Sequence, residues 1–197
     1  MATFSSTSVA QMAFLVVLAA QSVILTAFAD RATDADYVKS MDSTILRAEE
    51  KISHIRVYWH DVLTGPKPTT IQIVSPPVIT SRLSFGLVRM MDCPLTLGPD
   101  MNSKRVGKAQ GFYAQAAQGD VALLMNMNFA FTEGKYNGST IAIMGRNHVF
   151  SPARELAVIG GTGLFRFARG YAVLRTQAFN VSTGDATVEY NVYVSHY

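Results

Sequence analysis

The first alternating segment of the chain ends in a carboxylate that shares a face with apolar residues. Ile55, Val57 and Trp59 point to one side of a predicted strand, because neighbouring side chains in a strand alternate between its two faces. Asp61 continues the same series. Either it caps the turn that follows, at the wet end of the strand, or it lies in a cavity, where burial would raise its pKa and suit it to act as a general acid. Alternation alone leaves both explanations open.

A later segment places mostly small residues and one tyrosine on the same face. The residues in phase are Gly107, Ala109, Gly111, Tyr113, Gln115 and Ala117. Such a face either keeps space for a ligand or lets another element pack closely against it. The pattern does not distinguish between these two explanations.

Two further polar side chains accompany apolar runs later in the chain. Thr176 is the only hydroxyl on a predicted face that includes Leu174 and Ala178, and a buried threonine bonded to the backbone is the ordinary explanation. Arg154 falls in the connection 151–155, where an arginine is usually solvated. Neither residue by itself indicates a reaction.

Several familiar kinds of site are absent from the sequence. The four histidines form no catalytic arrangement, His54 and His60 fall on the polar face of the first strand, and Cys93, before Pro94 at a predicted turn, is expected to be structural. No Gly-x-Ser-x-Gly elbow or zinc-type spacing of cysteines or histidines occurs, and 160–163 predicts a tight turn rather than a phosphate loop. The net charge of +3 is scattered, so nucleic acid is not an expected partner.

Short alternating segments broken by Gly, Pro and Asn position these residues. Eight strands at this spacing predict an all-β fold, either a barrel or a sandwich. They fall near Ser53–Val62, Thr70–Val74, Leu83–Asp92, Val106–Ala117, Val121–Thr132, Ser139–Arg146, Ala168–Phe179 and Ala186–Ser195. A closed barrel of eight strands has room for side chains or for one small ligand.

The N-terminal segment has the pattern of a secretory signal. An apolar stretch begins at Met12, and small residues at Ala27 and Ala29 predict cleavage after residue 29. A membrane anchor is the alternative, although polar residues interrupt the stretch. Residues 30–52 are then a predicted mobile leader, and residues 53–197 form the predicted barrel domain.

Two Asn-x-Ser sequons agree with a secreted product. They lie at Asn137 and Asn180, in Gly-containing stretches that predict turns, where a glycan would be accessible. The single cysteine permits no internal disulfide, so the stability of the fold must come from packing and assembly.

Several long stretches, in the same order along the chain, resemble plant dirigent proteins over about Val57 to Tyr197. They are Tyr58-Trp59-His60-Asp61, Gly107-Lys108-Ala109-Gln110-Gly111-Phe112-Tyr113, Phe131-Thr132-Glu133-Gly134-Lys135-Tyr136-Asn137-Gly138-Ser139-Thr140, Gly145-Arg146-Asn147, and Val158-Ile159-Gly160-Gly161-Thr162-Gly163-Leu164-Phe165 with Ala168-Arg169-Gly170. The resemblance implies an eight-stranded antiparallel barrel in the apoplast, without a cofactor and assembled as a homo-oligomer, a dimer or a trimer.

The resemblance also implies how such a barrel acts. In lignan-forming members, a separate oxidase (a laccase or peroxidase) makes phenoxy radicals, and the barrel holds two of them so that coupling gives one enantiomer. In pterocarpan synthases, a similar cavity dehydrates a hydroxylated isoflavanol through a quinone methide. We therefore expect this chain to impose stereochemistry on the coupling of phenolic radicals. Dehydration of an isoflavanol is the first alternative, and non-catalytic binding of phenolics is the second.

The family's motifs assign roles to four residues of this chain. Asp61 takes the place of a cavity acid, and Arg154 takes the place of an arginine that can stabilise a developing phenolate. Tyr113 and Thr176 match residues that orient the ligand by hydrogen bonding.

At two cavity positions this chain departs from the lignan-forming members. Asn147 stands where they have a second Asp, and Gln115 stands where they tend to have a second Tyr. Both residues are expected to contact the substrate. Because Asn cannot donate a titrating proton, and because the family's disulfide-forming cysteine pair is also missing, the departures favour the branch that includes the pterocarpan synthases.

Overall fold

The computed structural model describes residues 49–76 and 83–197. Nine strands lie in these two ranges, and short 3₁₀ helices occur at Gly134–Tyr136 and Gly163–Phe165. The strands are β1 (Lys51–Asp61), β2 (Thr70–Val74), β3 (Val88–Thr96), β4 (Arg105–Gln115), β5 (Ala122–Phe131), β6 (Thr140–His148), β7 (Arg154–Thr162), β8 (Arg169–Phe179) and β9 (Ala186–His196).

Eight of these strands close into an antiparallel barrel. Around the ring, β1 is followed by β9, β8, β7, β6, β5, β4 and β3, and pairing of Trp59 with Leu95 joins β3 back to β1. The short strand β2 pairs with β3 outside the ring. The prediction of an eight-stranded antiparallel β-barrel is therefore confirmed.

The predicted set of eight strands was nevertheless wrong in its membership. It included β2, missed β7, and placed β3 five residues early, at Leu83–Asp92 rather than Val88–Thr96. The glycines of β7 are typical of a turn, which is why 160–163 was predicted as one. In the barrel, Gly161 pairs with Ile141, and a Cβ there would lie 2.5 Å from the Thr140 carbonyl oxygen. Glycine at this position permits close approach of two strands rather than a turn.

Cys93 also lies in a strand rather than at a turn. It is fully buried within β3, and the following Pro94 pairs with Lys108 of β4. The prediction of a turn followed from the usual exclusion of proline from strand interiors.

The first strand begins before the predicted end of the leader at residue 52, because β1 already starts at Lys51.

The two ends of the barrel interior are filled differently. At the end where β5 and β9 finish, aromatic side chains pack against one another, with ring centroids 5.8 Å apart for Phe131 and Phe165 and 4.7 Å apart for Tyr136 and Phe165. Phe129 and Tyr190 continue this core toward the middle of the barrel, 5.2 Å apart. The opposite end holds the polar residues singled out by their alternation.

The glycines of β4 belong to the closely packed part of this barrel. A Cβ at Gly107 would lie 2.3 Å from the Ala130 carbonyl oxygen, and one at Gly111 would lie 2.1 Å from the Asn126 carbonyl oxygen. Both contacts are with the backbone of β5. The β4 face therefore combines the two explanations, because its glycines allow close packing whereas Tyr113 lines a cavity.

We expect Gly111→Ala to destabilise the barrel strongly. The added methyl group meets backbone atoms that cannot move without breaking the β4–β5 pairing, so the free energy of unfolding should fall by about 1–3 kcal/mol or more. Gly119→Ala is the matched control, because nothing lies within 4 Å of its added Cβ. Urea unfolding of both variants measures the difference, and equal stability of the two would contradict the packing argument.

The two predicted glycosylation sites lie within the described residues, but the expected signal segment does not. Residues 1–48, which include the apolar stretch and most of the leader, lie outside the described residues. Within the described ranges, no helix has the length and apolar character needed to cross a membrane. Asn137 and Asn180 are both exposed in connections between strands, so the geometry at each sequon leaves room for a glycan.

Candidate functional site

A cavity of about 470 Å³ opens at the end of the barrel where β1, β4, β6 and β8 finish. All eight strands of the ring contribute side chains to its lining. Its size is within the range of pockets that hold drug-sized ligands.

The polar side chains that the strands of the ring contribute to the lining form two walls on opposite sides of the barrel. The acid wall comprises Asp61 of β1, Arg89 of β3, and Tyr113 and Gln115 of β4. The arginine wall comprises Asn147 of β6, Arg154 of β7 and Thr176 of β8. Between the walls, β5 and β9 contribute the apolar side chains Leu123, Ala186 and Val188. A ligand in this cavity therefore meets polar groups at two separated places.

Asp61 is the only carboxylate that the described part of the chain contributes to the cavity. It is 5% exposed, and its Oδ2 accepts a hydrogen bond of 2.9 Å from Tyr113 Oη. Burial raises the pKa of Asp61, although hydrogen bonds from Thr70 and Tyr113 and the charge of Arg89 oppose the shift. The raised pKa favours a protonated carboxyl that can donate to a ligand.

The structure also decides between the two explanations for Asp61. The turn after β1 is capped by another carboxylate, because Asp185 Oδ1 accepts the Leu63 backbone N–H at 2.7 Å and Oδ2 accepts from the Thr64 hydroxyl at 3.5 Å. Asp61 is left inside the barrel, as its phase with the apolar residues indicated.

Tyr113 has its hydroxyl proton committed to Asp61. It is 3% exposed, and burial together with the charge of Asp61 raises the pKa of its phenol, so it stays neutral. A neutral tyrosine that donates to one carboxylate oxygen fixes the orientation of the carboxyl group. Arg89 interacts with the same phenol through a hydrogen bond and its charge, and both oppose the rise in the pKa of Tyr113.

Arg89 is a cavity residue that the sequence reasoning missed. It pairs across the strands with Tyr113, and its positive charge lowers the pKa of both Tyr113 and Asp61 against the larger effect of burial. The signal was present in the sequence, because Arg89 is in phase with Leu87 and Met91, just as Asp61 is in phase with Trp59.

The thiol of Cys93 lies behind the acid wall and stays protonated. Its Sγ is 4.0 Å from Asp61 Oδ1 and 3.3 Å from the Thr70 hydroxyl. Burial, with a smaller contribution from the charge of Asp61, raises the pKa of Cys93 to about 12. This agrees with a structural role, because the thiolate is the reactive form of cysteine.

Arg154 dominates the opposite wall, where the family resemblance implied a cavity arginine, and it does not lie in a solvated connection. It is the first residue of β7, it is 6% exposed, and burial lowers the pKa of its guanidinium. Nε donates to Asn147 Oδ1 at 3.0 Å, and Nη1 donates to the Ser151 carbonyl oxygen at 3.3 Å. In the described ranges, Nη2 has no protein partner and no carboxylate lies within ion-pair distance. A buried cation without an anion is suited to a ligand that carries or develops negative charge.

Asn147 and Gln115 both contribute to the cavity and also position other groups. Asn147 is 5% exposed and holds Arg154 through its side-chain oxygen. Gln115 is 4% exposed, and its amide nitrogen donates to the carbonyl oxygens of Ala117 at 3.0 Å and Asp120 at 2.7 Å. Gln115 therefore anchors the turn that follows β4 at the edge of the cavity.

Thr176 differs from the ordinary buried threonine that the sequence predicts. It is exposed and lines the cavity, and none of the described residues bonds to its hydroxyl. The pairing of β8 with β9 shifts between Thr176 and Ala178. Because this bulge changes the phase of the strand, Phe179 rather than Ala178 lines the same cavity as Thr176.

His60 lies outside the cavity on the opposite face of β1. The sequence placed it on a polar face, but it is only 2% exposed, and its ring nitrogens lie 2.7 Å from the Thr96 hydroxyl and 3.3 Å from the Thr187 hydroxyl. Burial lowers its pKa, which favours the neutral imidazole. These hydrogen bonds join His60 of β1 to β3 and β9, which indicates a structural role.

The raised pKa of Asp61 predicts how stability depends on pH. Since the folded-state pKa lies above the unfolded value, this residue's contribution to stability is complete below about pH 4 and is lost as the pH rises through the folded-state pKa. Asn does not ionise, so its burial carries no free-energy cost that depends on pH. We expect Asp61→Asn to be more stable than the parent protein at pH 7, and the difference to shrink toward pH 3. Urea unfolding across this range measures it, and a difference independent of pH would show that Asp61 has an ordinary pKa.

Comparisons with known proteins show which family has a similar sequence. The model of the family described as "Dirigent-like protein" matches residues 52–195. Dirigent protein 7 of Arabidopsis thaliana is 46% identical over 184 residues, which covers 93% of this chain and 98% of that protein. Pterocarpan synthase 1 of Glycine max is 49% identical over 166 residues, which covers 83% of this chain and 89% of that protein.

Solved structures give the same assignment. The pterocarpan synthase dirigent protein GePTS1 superposes with a TM-score of 0.73 at 45% identity, covering 81% of this chain and 89% of that chain. PsPTS1, another pterocarpan synthase dirigent protein, superposes with a TM-score of 0.71 at 48% identity, covering 76% of this chain and 98% of that chain. With a matching sequence family and a matching barrel, the chain belongs to the dirigent family.

Proposed function

We propose that this protein closes a ring in a hydroxylated isoflavanol by dehydration through a quinone methide, in the manner of a pterocarpan synthase. One observation carries the proposal. Among the described residues, the cavity combines one buried carboxyl, at Asp61, with a buried guanidinium that no described carboxylate pairs with, at Arg154. The first group can supply a proton to a leaving hydroxyl, and the second can stabilise the phenolate that expels it.

The reaction needs no group beyond these two and water. The substrate phenol loses its proton to water, and the resulting phenolate oxygen lies against Nη2 of Arg154. As the phenolate pushes electrons through the ring, the bond from the benzylic carbon to its hydroxyl breaks, and Asp61 donates the proton that makes the departing group water. The product of this step is a quinone methide.

Ring closure then restores the acid. The 2′-hydroxyl of the second ring adds to the methide carbon and transfers its proton to the Asp61 carboxylate. The phenolate that reforms takes a proton from water, so the net change is the loss of one water molecule. The cavity holds both rings during the two steps, and the new bond can therefore form on only one face.

Two further observations support dehydration. Identities of 48–49% to pterocarpan synthases extend over 83% of this chain. In addition, Asn147 provides an amide where lignan-forming members are expected to have a second acid, and its oxygen is committed to Arg154. A dehydration that uses one acid needs no second one.

Stereoselective coupling of phenoxy radicals is the second candidate. The observation in its favour is that polar groups lie on two opposite walls, so that two one-ring phenols could each place a hydroxyl against one wall. A separate laccase or peroxidase would have to supply the radicals, because the proposal assigns no oxidising group to the barrel.

Two parallel incubations followed by chiral chromatography distinguish the candidates. One contains a 2′-hydroxyisoflavanol and no oxidant, and the other contains coniferyl alcohol and a laccase. Rapid ring closure to one enantiomer in the first incubation would support the proposal. Enantiomeric excess only in the second would replace it with radical coupling, and no change in either would leave a binding protein for phenolics.

We also propose that the mature protein is secreted to the apoplast after cleavage at Ala29, carries glycans at Asn137 and Asn180, and assembles with copies of itself. The motivation is the apolar segment 12–29, together with the exposure of both sequon asparagines. Mass spectrometry of protein from plant tissue tests the first two points, and an intact Met1 would contradict secretion.

A further inference from the structure

Two aromatic side chains stand exposed at the mouth of the cavity. Phe150, in the connection between β6 and β7, is 67% exposed, and Phe179, the last residue of β8, is 43% exposed. Their ring centroids lie 6.1 Å apart at an interplanar angle of 80°. Both residues line the same cavity as Asp61 and Arg154.

This pair is not explained by the packing of the barrel. The edge-to-face contact between the rings leaves most of Phe150 and nearly half of Phe179 in solvent. Neighbouring exposed aromatic residues at the rim of a pocket are typical of a surface that a ligand covers. In addition, Phe179 lines this cavity because of the bulge in β8, and bulges often redirect a side chain next to a functional site.

The backbone on both sides of the mouth is held by short-range bonds. The Ser151 N–H donates to the His148 carbonyl oxygen at 2.9 Å, and the Ser151 carbonyl oxygen accepts from Arg154. Next to Phe179, the Asn180 N–H donates to the Asp185 carbonyl oxygen at 2.9 Å. The segment that carries Phe150 is thus tied directly to the guanidinium of the arginine wall.

The cavity is therefore polar and enclosed where the acid and the arginine lie, and aromatic and open at its mouth. Asp61 and Arg154 are 5% and 6% exposed, in contrast to the two phenylalanines. We propose that Phe150 and Phe179 bind the second aromatic ring of a two-ring substrate, while the ring that becomes the quinone methide lies between the polar walls. This assignment rests on the proposed function and names the residues by which the site recognises the second aryl group.

Binding measurements with two ligands and matched variants test the assignment. Trp59 is the single tryptophan of the chain and lines the cavity, so its fluorescence reports occupancy. The ligands are a 3-hydroxypterocarpan, which is the ring-closed product and has two aryl rings, and guaiacol, which has one. The variants are Phe150→Ala and Phe179→Ala. Phe167→Ala is the control, because Phe167 is 56% exposed and is not part of the cavity lining.

We expect each mouth variant to weaken pterocarpan binding by about tenfold, because the ligand no longer buries a phenyl ring, while guaiacol binding changes by less than about twofold. Phe150→Leu should recover much of the loss, and Phe167→Ala should bind both ligands normally. Since Phe150 is exposed, its removal should leave the thermal midpoint nearly unchanged, and this is measured alongside.

Three results would overturn the assignment. In the first two, the mouth variants bind both ligands equally more weakly, or bind both as tightly as the parent protein does. The third result is that Phe167→Ala loses as much affinity for the pterocarpan as the mouth variants do. In each of these cases the parent protein still binds the pterocarpan, so the proposed function survives. If the parent protein binds neither ligand, the proposed function and the assignment fail together.

Discussion

Asp61→Asn is expected to lower the rate of ring closure by about 10²–10⁴-fold, the usual range for loss of a positioned general acid. The substitution is nearly isosteric, and the Asn side-chain oxygen can still accept the hydrogen bond from Tyr113. Folding should therefore be retained, whereas the proton for the leaving hydroxyl is lost. The measurement is the initial rate of product formation from a 2′-hydroxyisoflavanol, together with the enantiomeric ratio of the product.

Asp92→Asn is the matched control for this prediction. Asp92 is an exposed carboxylate of β3 that pairs with Lys108, so its loss should change stability by about 0–1 kcal/mol and leave the rate unaffected. A folded Asp61→Asn protein with the full rate would remove Asp61 from the mechanism. A residual rate in Asp61→Asn that varies with pH in the same way as the parent rate would place the essential acid elsewhere.

Arg154→Gln is expected to reduce the rate by about 10²–10³-fold, because a buried charge that stabilises the developing phenolate is removed. The glutamine can still bond to Asn147, but it carries no positive charge. The loss should appear mainly in kcat, because the interaction strengthens only as negative charge develops on the substrate. Steady-state kinetics with the isoflavanol separate the effects on kcat and KM.

Arg146→Gln provides the control for the arginine variant. Arg146 lies near the end of β6, next to Asn147 in the sequence. In contrast to Arg154, it is exposed and pairs with Asp120 on the surface. Its substitution should leave kcat unchanged. If Arg154→Gln raises KM with kcat unaltered, Arg154 binds the ground state of the substrate and does not stabilise the transition state.

The cost of the buried acid and its function are linked. Asp61 is held in a place where its charged form is disfavoured, which lowers the stability of the fold at neutral pH and raises the pKa of the carboxyl that would donate to the substrate. The variant that loses activity is thus the one expected to gain stability. This combination would be difficult to explain if Asp61 only held the barrel together.

The parts of the site that follow from alternation were accessible from the sequence. Asp61 and Tyr113 each lie in phase with residues that face the interior, and both line the cavity. Arg89 has the same signal on β3, because it is in phase with Leu87 and Met91. Its position shows that a charged residue in phase with an apolar stripe should be treated as a cavity candidate on every strand.

Other features of the site depend on contacts between distant segments. The burial of Arg154 follows from β7, in which Gly161 is needed for close contact with β6, so that its Gly-Gly pair does not look like part of a strand. The cavity position of Phe179 follows from a bulge in β8, which simple alternation cannot anticipate. Such registers are set by pairing across the barrel and not by the local sequence.

A crystal structure of the protein with a bound 3-hydroxypterocarpan tests the central claim, that the chemistry takes place between the two walls. The account predicts that the ligand lies inside the barrel, with its phenol oxygen within about 2.7–3.2 Å of an Arg154 nitrogen and its ether oxygen near Asp61. A ligand on the outer surface of the barrel, or one inside it whose oxygens contact neither residue, would contradict the account.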